Sequence, residues 1–165
     1  MQTDNNGNEP GQYLTFLLGE EMFAFNVLCT NEVLEVTHIT RVPGAGDAMI
    51  GVINLRGSVV PVIDLRKRLN MPVKEYTVDT AIIIIETEYG DEKVTIGVLV
   101  DAAKQVIMLD AVQLEAPPKV GMNINIDYIN AIGKYENQFI ILLNSDRIFS
   151  EKELMAAMES REMTL

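Results

Sequence analysis

The sequence contains one cysteine, Cys29, one histidine, His38, and no tryptophan. A single thiol cannot form an internal disulfide, and one cysteine with one histidine supplies too few ligands for a four-coordinate structural zinc site. A Cys–His pair or a Ser–His–Asp triad would have to be built from these single copies. We therefore expect Cys29 to be a small buried apolar residue and His38 to lie on the surface. We also expect the chain to have no enzymatic activity and to need no metal or cofactor.

Basic residues are scarce. There are 13 Lys and Arg against 24 Asp and Glu, which gives a net charge of -11, and the longest basic run is Arg66–Arg68. A chain of this charge repels phosphate backbones and anionic lipid surfaces. The composition therefore argues against nucleic acid and membrane surfaces as partners.

Long apolar runs are also missing. The longest, Ala81–Ile85, ends at Glu86, whereas a membrane-spanning helix needs about 18 apolar residues. The first residues show no charged-then-apolar signal pattern. We therefore expect a cytoplasmic protein that is not inserted in the membrane.

Short apolar segments separated by turn residues make up most of the chain. Apolar residues account for 48% of the 165 residues, which is enough for a sizeable core. Short strands bounded by Gly, Asn and Pro are typical of a mainly β protein. The predicted strands are Tyr13–Leu18, Met22–Val27, Val59–Ile63, Ala81–Glu86, Lys93–Val100 and Phe139–Leu143.

Capping residues predict three helices. Asn31 is a candidate cap for a short helix ending near Val36, and Asp64 for another that Asn70 closes. Ser150 and Glu153 have capping-box spacing and predict a C-terminal helix over Ser150–Glu162. Its stripe of Leu154, Met155 and Met158 is expected to pack on the strands. Residues 1–12 lack apolar periodicity and are predicted to be a disordered tail.

The two halves of the chain resemble each other weakly but in the same order. Phe25–Cys29 is similar to Ile96–Val100, and Val59–Ile63 to Phe139–Leu143. Because a closed barrel leaves no exposed sheet edge, the repeat favours two similar β barrels packed on each other. Further matches in the same order are Val33 with Val106, Pro43 with Pro117, and Met49–Ile53 with Tyr128–Ile132.

One turn stands out as a candidate binding site. Asn54 and Gly57 tolerate positive φ, so Leu55 and Arg56 should be presented on a tight turn between two apolar stretches. An arginine held there offers a planar fork to carboxylates. The alternative, that Arg56 only pairs with a nearby acid such as Glu32 or Asp64, is equally compatible with the sequence.

The segment from Gly51 to Arg66, with its Asn54-Leu55-Arg56-Gly57 turn, resembles the signature of the CheW family of bacterial chemotaxis coupling proteins. The resemblance extends over roughly residues 13–155 and includes Ile96–Asp101 and Phe139–Asn144. It implies two SH3-like five-stranded β barrels, intertwined within residues 13–165, with short helices and a C-terminal helix. The same domain occurs within the kinase CheA and within CheV, and we expect a stand-alone member here.

The resemblance also implies a function and a set of contact residues. A CheW protein is an adaptor that couples the cytoplasmic tip of chemoreceptors to the regulatory domain of the histidine kinase CheA at membrane-associated arrays. Ring assembly with the kinase domain or with further copies stays open. Carried over by position, the receptor-binding candidates are Arg56, Glu32, Val27 and Val106, and the kinase-binding candidates are Gly51, Ala81, Ile82 and Gly97.

Two points remain open at this stage. Cys29-Thr30 replaces a Lys-Val pair that is common in the family, which puts receptor preference in doubt. A different class of function, small-ligand binding in a pocket between the two barrels, is the alternative to the adaptor.

Overall fold

The computed structural model describes residues 9–42, 46, 48–118 and 123–160, and within them the chain is mainly β. Eleven strands form two sheets, with two α-helices, α1 (Leu65–Arg68) and α2 (Glu151–Ser160), and 3-10 turns over Val27–Cys29, Ala111–Gln113 and Ile126–Tyr128. The strands are β1 (Gly11–Leu18), β2 (Glu21–Asn26), β3 (Thr30–Glu35), β4 (Met49–Leu55), β5 (Ser58–Asp64), β6 (Ala81–Tyr89), β7 (Glu92–Val100), β8 (Ala102–Leu109), β9 (Leu114–Glu115), β10 (Ile129–Tyr135) and β11 (Gln138–Leu143).

The sheets confirm the predicted class of two small β barrels. Barrel A has the strand order β8-β1-β2-β11-β10-β9, and barrel B has the order β3-β6-β7-β5-β4. Barrel A thus has one strand more than predicted, the two-residue β9. Barrel B is closed where Thr40, in the extended segment after β3, exchanges two backbone hydrogen bonds of 2.8 Å with Val52 of β4.

The two barrels share their topology but exchange their hairpins. The order β8-β1-β2-β11-β10 in barrel A repeats as β3-β6-β7-β5-β4 in barrel B, with a parallel pair at β2–β11 and at β7–β5. The β1–β2 hairpin thus completes a barrel built from the C-terminal half, and the β6–β7 hairpin completes one built from the N-terminal half. The strand segments matched by the internal repeat occupy equivalent strands of the two barrels.

Three apolar clusters form the core. One fills barrel A around Tyr13 and Leu142, a second fills barrel B around Ile82 and Ile84, and the third joins both barrels and contains Ile83 and Ile85. Successive residues of a strand point to opposite faces. Strand β6 is therefore apolar on both faces because one lines barrel B and the other lies in the contact between the barrels.

Several local predictions are wrong. Residues from Asn31 to Val36 do not form a helix, because Thr30–Glu35 pairs with β6 as the edge strand β3. The capping amide is Asn26 instead, whose side chain accepts from the Leu28 N–H at the start of the 3-10 turn. Residues 1–8 lie outside the described residues, and β1 already begins at Gly11, inside the predicted tail.

Pro61 has no backbone N–H to donate, yet it lies inside the sheet of barrel B, since β5 is placed between β4 and β7. The Val52 N–H and C=O opposite it are both bonded to Thr40, so β4 requires no donor from Pro61. Pairing with β7 begins only at Val62. The absence of an N–H on Pro61 therefore removes no backbone hydrogen bond from the sheet.

Both remaining helix predictions are confirmed, but the inward face of α2 differs from the prediction. Asp64 caps α1 by accepting from the Arg66 N–H at 3.0 Å, and Asn70 has φ 58° after its end. In α2 the buried residues are Glu153, Ala157 and Ser160. Of the predicted stripe, Leu154 and Met158 are half-buried and Met155 is 46% exposed. Residues 161–165 lie outside the described residues.

Candidate partner-binding site

The β4–β5 hairpin presents Arg56 on a two-residue turn. Arg56 has φ 50° and Gly57 has φ 89°, while Leu55 and Ser58 are paired on either side. Positive φ at both turn residues is the property of type I′ hairpins, whose twist matches the strands. Asn54 does not take the positive φ that the sequence suggested. Its Oδ1 accepts from the Gly57 N–H at 2.7 Å and closes the turn.

Arg56 forms a two-bond ion pair with Glu32 on β3. Its Nη1 donates to Oε1 at 3.1 Å and its Nη2 to Oε2 at 2.5 Å. The hydrogen bonds from Arg56 hold the pKa of Glu32 below its usual value, and the same bonds raise the pKa of Arg56. The Arg56 side chain is nevertheless 70% exposed. The pair thus leaves part of the guanidinium open to a partner.

A groove of about 400 Å³ lies beside this ion pair at the mouth of barrel B. Strands β5 and β7 pair with each other only from Val62 and Gly97 onward. Over the residues that precede these two, the strands are not paired with each other, and α2 packs against both. The contribution of α2 was missed because it depends on how the helix docks rather than on its sequence. The lining residues are Asn31, Glu32, Leu55, Arg56, Ser58, Val59, Val60, Ile84, Thr95 and Ala157.

The other two receptor-binding candidates do not line this groove. Val27 is half-buried in the 3-10 turn that leads into β3, and Val106 is 52% exposed on β8 of barrel A. The candidates are thus divided between the barrels. Sequence reasoning missed Leu28, which is 70% exposed because the 3-10 turn rotates it outward from the apolar run around it.

The four kinase-binding candidates are all buried in barrel B. Ile82 is fully buried and Ala81 is 7% exposed. A Cβ on Gly51 would lie 2.2 Å from the Thr40 carbonyl oxygen, and one on Gly97 would lie 2.9 Å from Ile82 Cγ2. These residues therefore shape barrel B, and their place on a kinase-facing surface or its rim stays a prediction.

The residues with catalytic potential lie where the sequence predicted them. Cys29 is buried, burial raises the pKa of its thiol, and its Sγ donates to the Asn26 carbonyl. His38 is exposed. Among the described residues no group of three or more His, Cys, Asp or Glu side chains could hold a metal ion. None of the helices in the described ranges is long and apolar enough to cross a membrane.

Comparison with known proteins agrees with this architecture. The family model described as "CheW-like domain" matches residues 12–153. The chemotaxis protein CheW of Bacillus subtilis is 38% identical over 149 residues, covering 84% of this chain and 92% of that protein. The CheW of Treponema pallidum is 29% identical, covering 89% and 86%. The crystal structure of the scaffolding protein TtCheW from Thermoanaerobacter tengcongensis superposes with a TM-score of 0.77 at 32% identity, covering 87% of this chain and 95% of that one. With this match over most of its length, two barrels of the same topology and the exposed arginine turn, the chain belongs to the CheW family.

Proposed function

We propose that this protein is a chemotaxis adaptor that links the cytoplasmic tip of chemoreceptors to the histidine kinase CheA. The relatives it matches are named chemotaxis proteins, and its structural relative is named a scaffolding protein. The observation that carries the proposal is Arg56, which is held outward on a closed turn and is exposed although it is paired.

The Arg56–Glu32 pair can recognise polar groups of either sign. A guanidinium has five N–H donors, and Glu32 engages two of its nitrogens, so further donors remain for receptor carboxylates or carbonyls. The Glu32 carboxylate can in turn accept from a receptor amide or cation. The turn holds the backbone in place, so little entropy is lost when a partner binds.

The kinase contact is proposed on a different part of barrel B. Because Gly51 and Ala81 are buried, the contact has to involve exposed residues beside them. These are Thr40, whose carbonyl lies against Gly51, and Glu35, which pairs with Ala81. Binding both partners at once would raise the effective concentration of kinase at the receptor array. The adaptor then needs no chemistry of its own.

The ligand-binding alternative receives no support from the described residues. The contact between the barrels is filled by a continuous cluster that includes Phe16, Phe23, Phe25, Ile83 and Ile85. A small molecule between the barrels would have to displace these side chains, and close-packed interiors have few voids of such size.

The proposal is tested by titrating wild type, Arg56→Ala and Arg56→Glu with a receptor cytoplasmic fragment and with the kinase regulatory domain. Loss of a central arginine should cost about 1–3 kcal/mol of receptor binding, roughly 5- to 150-fold in Kd. Arg56→Glu should lose more, because it places a second carboxylate beside Glu32. Kinase affinity and thermal stability should stay unchanged.

Arg147→Ala provides the matched control, since Arg147 is an exposed arginine between β11 and α2 that does not line the groove. It should bind both partners as wild type does. Unchanged receptor affinity of Arg56→Glu, or unfolding of that variant, would instead make Arg56 a structural ion-pair residue. A wild-type chain that binds neither partner would contradict the adaptor proposal itself.

A further inference from the structure

The chain crosses between the barrels at two places within the described residues. The first is the 3-10 turn Val27–Cys29 between β2 and β3, and the second is the single residue Asp101 between β7 and β8. Asp101 and Arg66 end two of the segments that resemble the CheW family. Neither residue lies in the proposed receptor or kinase surface, so the proposed function leaves both unexplained.

At the second crossing, one carboxylate joins elements of both barrels. Asp101 Oδ1 accepts from Arg66 Nε at 2.8 Å, and Oδ2 accepts from Arg66 Nη2 at 2.5 Å. Oδ2 also accepts from the Gly19 N–H at 2.6 Å. Arg66 belongs to α1 on barrel B, and Gly19 lies in the β1–β2 turn of barrel A. The Asp101 N–H donates to the Leu17 carbonyl of barrel A at 3.0 Å.

The surroundings hold this junction in one geometry. The side chains of Arg66 and Asp101 are only 11% and 12% exposed. Arg66 Nη1 also donates to the Pro72 carbonyl at 2.8 Å, and Lys74 Nζ lies 3.8 Å from Asp101 Oδ2. Paired, two-bond contacts of this kind fix direction as well as distance. Burial alone would raise the pKa of Asp101, but the hydrogen bonds from Arg66 and Gly19 hold it below its usual value.

We propose that Arg66, Asp101 and the Gly19 amide form a clamp that sets the angle between the two barrels, and that Arg66 and Asp101 are thereby positioning residues for receptor binding. The second part rests on the proposed function. The receptor-binding candidates are divided between the barrels, with Val106 on barrel A and Arg56 with Glu32 on barrel B. The affinity for a receptor that contacts both barrels depends on the angle between them, whereas the affinity for a kinase that contacts only barrel B does not.

The clamp is tested directly by measuring the distance between the barrels. Spin labels are attached at Asp91→Cys in barrel B and Gln138→Cys in barrel A, two exposed positions, in a Cys29→Ala chain. Pulsed electron spin resonance then gives the distance distribution. Asp101→Asn and Arg66→Met should broaden it. Glu86→Gln, which breaks an exposed carboxylate–lysine pair between two strands of barrel B, should leave the distance distribution unchanged.

The positioning role is tested by titrating the same variants with receptor fragment and kinase domain. We expect the receptor Kd to rise at least fivefold for Asp101→Asn and Arg66→Met, with the kinase Kd within twofold of wild type. Loss of fold would weaken both contacts together. Arg66→Lys, which keeps the charge but lacks the planar fork, should give intermediate values and serves if Arg66→Met does not fold.

An unchanged distance distribution in the clamp variants would overturn the clamp. A broadened distribution with receptor affinity within twofold of wild type would overturn the positioning role. If the wild-type chain binds no receptor fragment, the proposed function fails and the positioning role with it, while the distance measurement still decides whether the clamp exists.

Discussion

At the scale of single residues, backbone conformation and close approach determine what several positions can be. Arg56 takes φ 50°, a region that costs a residue with a Cβ about 1 kcal/mol. Its side chain is mostly exposed and contributes little to the core. The positive φ thus costs stability that the exposed side chain does not repay through core packing, and the proposed receptor contact would give Arg56 a role other than stability.

Gly51 is required where barrel B closes. An added Cβ would lie 2.2 Å from the Thr40 carbonyl oxygen, which is itself bonded to the Val52 N–H. We expect Gly51→Ala to lower the free energy of unfolding by about 3 kcal/mol, because the backbone has to move. Gly97→Ala should cost less, about 1–2 kcal/mol, because its Cβ meets only side-chain atoms. Urea unfolding measures the stability of both variants. Equal losses of stability would show that the backbone around Gly51 can shift to accommodate a Cβ.

At the scale of elements, a buried carboxylate joins α2 to α1. Glu153 is 4% exposed, its Oε1 accepts from the Ser150 N–H at 2.9 Å, and Ser150 Oγ accepts from the Glu153 N–H at 3.2 Å. Glu153 also pairs with Arg68 of α1. The capping residue thus faces inward and joins the two helices. The half-buried Leu154 contributes less than the 2–4 kcal/mol or so typical of a fully buried leucine.

Glu153→Gln should therefore cost more stability than any substitution on the outer face of α2. Gln can still cap the helix, but Arg68 is then left mostly buried without a counter-charge, which costs about 3 kcal/mol. Glu151→Gln on the exposed face of the same helix is the control and should change stability by less than about 0.5 kcal/mol. Thermal melting of the two variants tests this difference. Similar melting temperatures would mean that Arg68 binds another side chain or water in place of Glu153.

At the scale of the whole molecule, hairpin exchange makes each barrel depend on both halves of the chain. The β1–β2 hairpin pairs with β8 and β11, which follow it by more than 70 residues in the sequence. Neither half can complete a barrel alone. The two crossings and the apolar cluster between the barrels therefore bind the molecule into one cooperative unit.

The Asp101 junction should make this unit sensitive to acid. The pKa of Asp101 is lowered in the folded protein, so its carboxylate stabilises the fold above its unfolded pKa of about 3.9. That stability is lost as the pH falls through the lower folded pKa. At pH 7, Asp101→Asn should cost about 3 kcal/mol. The difference from wild type should shrink below about pH 4, as measured by urea unfolding at several pH values, and a constant difference would contradict this account.

Much of the fold could be predicted because its signals are local. Asp64 and the Ser150–Glu153 spacing satisfy the first amides of a helix wherever that helix packs, so their caps are found as expected. Residues 82–85 are apolar on both faces whichever strands flank them. The turn at Asn54–Gly57 also forms from its own residues, and it exposes Arg56 as the sequence indicates. The resemblance to the CheW family supplied the proposed partners, which local chemistry could not.

Only the tertiary structure decided the rest, because those features depend on groups distant in sequence. Thr30–Glu35 forms a strand because it pairs with the backbone of β6, although Asn31 is a residue that could cap a helix. Gly51 is buried because Thr40, eleven residues earlier, closes over it, and no pattern around Gly51 reveals that contact. The exchange of hairpins and the Arg66–Asp101 junction likewise bring together residues 35 positions apart or more. Composition and periodicity describe what each segment can bury, whereas the three-dimensional packing selects its partner.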